Sequence, residues 1–325
     1  MTAFVETQDL SVSFRVDRRR HLRAVRDVDL AIAKGSTVGL VGESGSGKST
    51  LARTIVRAER PASGRILFDG VDIAGFGPKE LRPYRSRMQM VFQDPFGSLD
   101  SRMRVGDIVA EPLRVHGRGD RGEIRTKVAR LLERVGLDRS AEGWSPAQFS
   151  GGQRQRISIA RALALDPELL VADEPVSALD VSIQAQILAL LDEIQRELGL
   201  TSLVIAHDLA LVHQIADRIA VMYLGQIVEE GDADQVVFAP QHPYTVSLLA
   251  ATPVADPVIE TSRERIVLSG EQPSPISPPS GCSFHTRCPI ARPRCVTEAP
   301  PMLDIGGRRV ACHYAGEMAP VIVAH

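Results

Sequence analysis

No cysteine occurs before Cys282 in this chain of 325 residues, so a disulfide framework is excluded for most of its length. Long apolar runs are missing as well. None approaches the roughly 18–20 residues needed to cross a bilayer. Met1 to Leu10 has neither the basic start nor the apolar stretch of a secretory signal. No sign of charge is in excess: the net charge of −2 gives no dominant nucleic-acid-binding surface. The expectation is a soluble protein that serves a membrane only through a partner. What is present is ordinary for a globular chain. Hydrophobic residues make up 44% and charged residues 24%, and the length suits one large domain plus a smaller one.

Val12, Phe14 and Val16 alternate with polar residues, which predicts a half-buried strand. Val38 to Val41 is a short apolar run followed by glycines and a helix-compatible stretch over 48–59, a strand–loop–helix unit. Further strands are expected over 65–73 and 88–92. Ile124, Val128, Leu131, Leu132 and Val135 predict an amphipathic helix over 123–137. Leu169 to Ala172 and Ser202 to Ala206 read as buried strands. Between them Ile183, Ile187, Leu190, Leu191, Ile194 and Leu198 mark one helix face. Strand, helix, strand in that order is a parallel α/β core. A hairpin is expected over 219–230, turning near Leu224-Gly225. Arg18-Arg19-Arg20 reads as a solvated loop between strands. Prolines and cysteines accumulate after Phe238, so the large domain is placed at 1–240 and a loop-rich module at 241–325.

Gly42-Glu43-Ser44-Gly45-Ser46-Gly47-Lys48-Ser49, with Thr50 next, fits the phosphate-loop pattern. Glycines let backbone N–H groups converge on phosphates, and the helix N-terminus adds positive dipole. Lys48 supplies charge for the β/γ oxygens and Ser49 a hydroxyl for Mg²⁺. Asp173 ends a buried strand, where a carboxylate holds Mg²⁺ through water. Glu174 follows as the natural base for an attacking water. Ser150-Gly151-Gly152-Gln153 comes roughly twenty residues earlier, just before a helix start. It offers a second phosphate-facing surface, and two such surfaces on one chain suit a dimer closing around ATP.

Over roughly 5–240 these motifs resemble, in order, the nucleotide-binding subunits of ABC transporters. The resemblance implies a P-loop ABC ATPase core with an antiparallel β subdomain and a helical subdomain at about 94–160. It implies that Gln93 contacts Mg²⁺ and senses the membrane partner, and that Ser150, Gly151, Gly152 and Gln153 cover a partner's ATP. It further implies that Asp180 belongs to the D-loop and that His207, directly after the strand 203–206, holds the γ-phosphate. The family's adenine-stacking aromatic is replaced near Arg23, whose guanidinium plane also stacks on a base.

Phe92 to Asp100, Glu111-Pro112-Leu113 and Gln241-His242-Pro243-Tyr244-Thr245 resemble the oligopeptide/dipeptide importer subfamily, Gly97-Ser98-Leu99 pointing to its second, F-type ATPase subunit. The implied function is ATP hydrolysis that energises peptide import, with nickel or glutathione import and a non-transport ABC ATPase as alternatives. The implied partners are a second ATPase subunit (a D-type chain or a second copy), two transmembrane permease subunits and an extracellular binding protein, with no nucleic acid. The implied location is peripheral, on the cytoplasmic face of the plasma membrane.

The cysteines are spaced Cys282-x5-Cys288-x6-Cys295-x16-Cys312, without the close pairs usual in zinc sites. Four thiolates so spaced are compatible with an iron–sulfur cluster. The subfamily resemblance implies a [4Fe–4S] cluster on all four. Zinc, with His285 or His313 recruited, and reduced or disulfide-bonded cysteines stay open.

Overall fold

The computed structural model describes residues 3–17, 20–94, 97–251 and 271–318. Arg18 and Arg19 of the basic run, and Pro95 and Phe96 of the segment 92–100, lie outside the described residues. Two compact units divide the rest: one holds 32–36 and 75–204, the other 3–31, 37–74 and the residues from 205 on.

The chain opens with two long strands, β1 (Ala3–Arg15) and β2 (His21–Ala33). On β2 Val28, Leu30 and Ile32 are buried while Asp27, Asp29 and Ala31 are exposed, the period of two that a one-sided strand requires. β3 (Thr37–Val41) is buried throughout and leads into α1 (Lys48–Ile55). The helix stops short of residue 59 because Arg57 turns left-handed, φ 57°, and donates its Nε–H to the Ile73 carbonyl at 3.0 Å. The single strand expected over 65–73 is two, β4 (Ser63–Phe68) and β5 (Val71–Asp72). Asp69 and Gly70 both take positive φ, 52° and 78°, the tight hairpin turn that Asp-Gly favours. The sheet runs β2-β1-β4-β5, with β1–β4 and β4–β5 antiparallel.

In the unit around 75–204, α2 (Pro78–Arg87) precedes β6 (Met88–Val91). Three helices follow: α3 (Val105–Val115), α4 (Arg121–Arg134) and α5 (Gly151–Leu163). α4 starts earlier than its apolar spacing suggests because Asp120 and Glu123 close a capping box. Its buried Val128, Leu131 and Leu132 belong to the expected face. β7 (Leu169–Asp173) is buried along its length and parallel to β6. α6 (Val181–Leu198) buries Ile187, Leu190, Leu191 and Ile194, whereas Leu198, at its end, is exposed. Residues 201–204 of β8 (Thr201–Ala206) lie beside β7.

After β8 come α7 (Leu209–His213), β9 (Arg218–Tyr223), β10 (Gln226–Asp232), α8 (Ala233–Phe238) and α9 (Pro243–Ala251). The last elements are α10 (Pro293–Thr297), β11 (Leu303–Ile305) and β12 (Arg308–Val310). β9 is parallel to β3 and antiparallel to β10, with the expected turn at Leu224-Gly225. β12 adds to the far edge of β10, Glu229 opposite Val310, and β11 pairs outside it. Parallel strands joined through helices make this an α/β fold. Among the described residues no helix is long and apolar enough to cross a membrane.

Tyr223, Tyr244 and Phe284 fill the core next to this sheet, their ring centroids 4.7, 5.2 and 5.3 Å apart. Beside them His242 is buried, and its Nδ1 accepts the Tyr244 N–H at 3.0 Å. Burial holds this imidazole well below the usual value, at about 3. Between the ordinary value near 6.5 and about 3, the unfolded chain therefore binds a proton that the folded chain refuses. Stability contributed by this ring is full at neutral pH and is lost as the pH falls. Glu229, whose carboxyl burial pushes up, acts in the opposite sense, and it accepts the Gln241 and His242 N–H groups at 2.8 and 2.9 Å. A His242→Asn variant separates the two. Denaturant melts between about pH 4 and 6 are expected to show its stability falling less steeply with acid than the parent's, by about one proton, or ~1.4 kcal/mol per pH unit. Equal slopes would mean that the ring is charged in the folded chain.

Candidate active site

Residues 42–47 join β3 to α1, and the loop motif runs into the helix with Lys48 and Ser49. Its shape depends on glycine most clearly at Gly47, φ 105°, where a Cβ would stand 2.1 Å from the Ala24 carbonyl oxygen. Any side chain would push the loop off β2. Lys48 is buried and donates to the Gly42 and Glu43 carbonyls at 2.7 and 2.9 Å. Its ammonium thus rests on the loop's own oxygens, where arriving phosphate oxygens can replace them. The buried Ser46 hydroxyl has no hydrogen-bond partner, so the loop keeps a polar group in reserve. Ser49 and Thr50 sit in the first turn of α1. These features fit a nucleoside triphosphate with its Mg²⁺.

Glu43 is held at three points. Its N–H donates to the Tyr244 hydroxyl at 2.8 Å, its carbonyl receives Lys48, and its carboxylate takes a bidentate pair from Arg287 at 2.7 and 3.0 Å. Sequence reading missed Tyr244 and Arg287 as neighbours of the loop. Gln241 to Thr245 gave a signal as a motif, but Arg287 gave none. Arg23 lies exposed on β2, 4.0 Å from Asp27, and His207 directly follows β8, exposed.

The other unit carries the remaining candidates. Asp173, fully buried, closes β7, and Glu174 beyond it takes a left-handed conformation, φ 45°. A non-glycine residue held there is a strained position of the kind that collects at functional sites. The Glu174 carboxylate accepts the Gln93 Nε2–H at 2.7 Å, so two candidates separated by 81 residues meet. Ser177 donates its N–H and its hydroxyl to the Glu174 carbonyl, and Gln184 ties down the Val176 and Leu179 carbonyls. Asp180 is the N-cap of α6.

Ser150 and Gln153 close a capping box on α5: Ser150 Oγ accepts the Gln153 N–H at 3.3 Å, and Gln153 Oε1 accepts the Ser150 N–H at 3.0 Å. The Gln at the end of the turn thus fixes the helix start. A Cβ on Gly152 would come 2.6 Å from Ile183 Cγ2, so the turn packs tightly on α6.

The four cysteines are free thiols, Cys295 and Cys312 buried. Burial pushes Cys282 up, and Cys288 and Cys312 up to about 11, with charge on neighbouring thiols adding to the shift. The Tyr314 N–H donates to the Cys312 sulfur at 3.4 Å, while the His285 N–H goes to the Cys282 carbonyl at 3.1 Å. A donor to sulfur suits a thiolate bound to a metal. Yet among the described residues no group of three or more His, Cys, Asp or Glu side chains is gathered to hold a metal ion. The donor chemistry fits a metal, and the arrangement as it stands does not form a site.

A phosphate loop between a parallel strand and its helix, a buried Asp-Glu strand end and a capped Ser-Gly-Gly turn define a class, the ATP-binding cassette. Known proteins agree. The family described as ABC transporter matches residues 25–177, and the oligopeptide/dipeptide transporter C-terminal region matches 228–295. The probable peptide ABC transporter ATP-binding protein y4tS of Sinorhizobium fredii is 51% identical over 308 residues, 94% of this chain and 85% of that one. The oligopeptide transport ATP-binding protein OppF of Escherichia coli is 48% identical over 317 residues, 95% of each chain. Among solved structures, the cassette MJ0796, a dimer in a post-hydrolysis state with ADP and Pi, superposes with a TM-score of 0.65 at 30% identity, covering 70% of this chain and 98% of that one. The chain belongs to the ABC transporter ATP-binding subunits, in the oligopeptide/dipeptide branch.

Proposed function

We propose that the chain is the F-type ATPase subunit of a peptide importer, hydrolysing ATP to energise passage of di- or oligopeptides through a membrane permease. The observation that carries this is the oligopeptide/dipeptide C-terminal region at 228–295 joined to a phosphate loop that is folded ready for nucleotide. The cassette is taken as 1–240, with its helical part near 94–160, and the extension as 241–325.

Lys48 exchanges the Gly42 and Glu43 carbonyls for the β/γ oxygens of ATP. Ser49, Gln93 and Asp173 hold Mg²⁺, which neutralises charge developing on the phosphates. Glu174 takes the proton from the attacking water. His207 holds the γ-phosphate, Asp180 links the two sites of the dimer, and Arg23 stacks on the base. Ser150, Gly151 and Gly152 cap the γ-phosphate of the partner's ATP with N–H groups at a helix N-terminus, where negative charge is stabilised. The partner is a D-type subunit or a second copy, and the pair sits peripherally on the cytoplasmic face of the membrane under two permease subunits fed by an extracellular binding protein.

Cys282, Cys288, Cys295 and Cys312 would be the ligands of a [4Fe–4S] cluster, with zinc as the alternative, after drawing closer than they stand here. The Tyr314 N–H that donates to the Cys312 sulfur is a donor of the kind that metal-bound thiolates receive. Purification of the tagged chain from its membranes without oxygen tests both parts. The expected result is co-purified permease and second ATPase subunits, with about four iron atoms per chain and broad visible absorbance. Recovery with ribosomes or nucleic acid instead would end the transport reading, and stoichiometric zinc or no metal would end the cluster.

A further inference from the structure

Glu43 stands inside the phosphate loop, yet two of its three tethers come from residues far along the chain. Arg287 lies between Cys282 and Cys288, with its side chain 8% exposed, and grips the Glu43 carboxylate with both terminal nitrogens. Tyr244, fully buried, accepts the Glu43 N–H. The Arg287 segment is itself fixed. Its N–H donates to the Phe284 carbonyl at 3.0 Å, and the Phe284 ring packs on Tyr223 and Tyr244. Next to it, Ser283 receives Arg26 from β2 at 2.9 Å, the strand whose Ala24 carbonyl faces Gly47. Cys282 and Cys288, on either side, pack on the same aromatic cluster. The Glu43 side chain is 25% exposed, so the pair is partly shielded; its bidentate form makes it directional, and breaking one side leaves a charge without its partner.

We propose that Arg287 and Tyr244 are positioning residues for ATP binding: by clamping Glu43 they keep the phosphate loop in its receptive shape, and the cysteine module thereby sets the affinity for nucleotide. The inference rests on reading 42–49 as the nucleotide loop. Its logic is preorganisation. A loop already held open does not spend binding free energy on being ordered when ATP arrives. Neither residue needs to touch ATP.

The test is equilibrium binding of ATP to the full-length chain in its complex, alongside steady-state hydrolysis. Arg287→Met is expected to weaken ATP binding about tenfold, equivalent to ~1.4 kcal/mol, with kcat at saturating ATP changed less than about twofold. Arg287→Lys, which keeps charge but loses the second bond, should weaken it roughly threefold. Because Arg287 acts through Glu43, the double variant Glu43→Gln/Arg287→Met should bind no more weakly than the worse single variant. Cys288→Ser should weaken binding in the parent but add nothing to Arg287→Met. If Arg287→Met does not fold, Arg287→Lys and Glu43→Gln carry the same comparison. Parental affinity in a folded Arg287→Met chain overturns the clamp. So do fully multiplicative losses in the double variant, or a loss confined to kcat. A parent chain that binds no ATP overturns the loop reading itself, an outcome distinct from these.

Discussion

Glu174→Gln is expected to lower ATP turnover by a factor on the order of 10²–10⁴, the usual worth of a positioned general base, while ATP binding survives. The substitution is nearly isosteric. A glutamine side-chain oxygen still accepts the Gln93 Nε2–H that the carboxylate now receives at 2.7 Å. The left-handed turn at residue 174 is held from outside the side chain, by Ser177 on the Glu174 carbonyl. The variant should thus fold as the parent does and lose only the charge proposed to take the proton from water. With hydrolysis blocked, an ATP-bound pair of cassettes would reopen only as ATP dissociates, so size-exclusion chromatography with ATP should show a longer-lived dimer. Single-turnover release of phosphate gives the rate. Turnover within a few-fold of the parent would remove Glu174 from the role of base.

Lys48→Ala should act one step earlier, on binding. Removing one partner of a desolvated charge pair costs about 2–5 kcal/mol, so the dissociation constant for ATP should rise by roughly two orders of magnitude. Two effects combine. The β/γ oxygens lose the point charge that would meet them, and the loop loses the tie from Nζ to the Gly42 and Glu43 carbonyls. Calorimetric titration of the purified chain with ATP measures the result. An unchanged affinity would refute the loop assignment, since no other lysine belongs to the segment.

Much of this machinery is legible in sequence because it is local. The phosphate loop needs its glycines and lysine within eight positions, and the Ser150–Gln153 turn is a capping box whose spacing is set by one helical turn. Buried strands β3, β7 and β8 announce themselves as apolar runs, and the inner face of α4 as a helical repeat. Asp69-Gly70 is an equally local turn signal, masked by the apolar residues on either side that read as one continuous strand. The Arg287–Glu43 pair has no local signature, since 244 residues separate its members. An arginine between cysteines reads as one more surface charge until the fold brings it to the loop. The segment Gln241 to Thr245 lies between these cases. Its pattern marked a subfamily, while the jobs of His242 as a buried acceptor and Tyr244 as a loop tether came only from packing.

The docking of β12 on β10 bears on how the chain is made. Until residues 308–310 arrive, β10 is the outer strand of its sheet, and an open strand edge recruits other chains. From Asp232 to Val310 the ribosome must add 78 residues (310 − 232), which at ~5–20 residues per second takes roughly 4–16 s. Throughout that interval β10 has no strand to pair with on its outer side. Placing the sealing strand this late leaves the β10 edge to be covered only after α8, α9 and the cysteine segment have been made. A chain cut off before β12 would keep that edge open to strands of other chains.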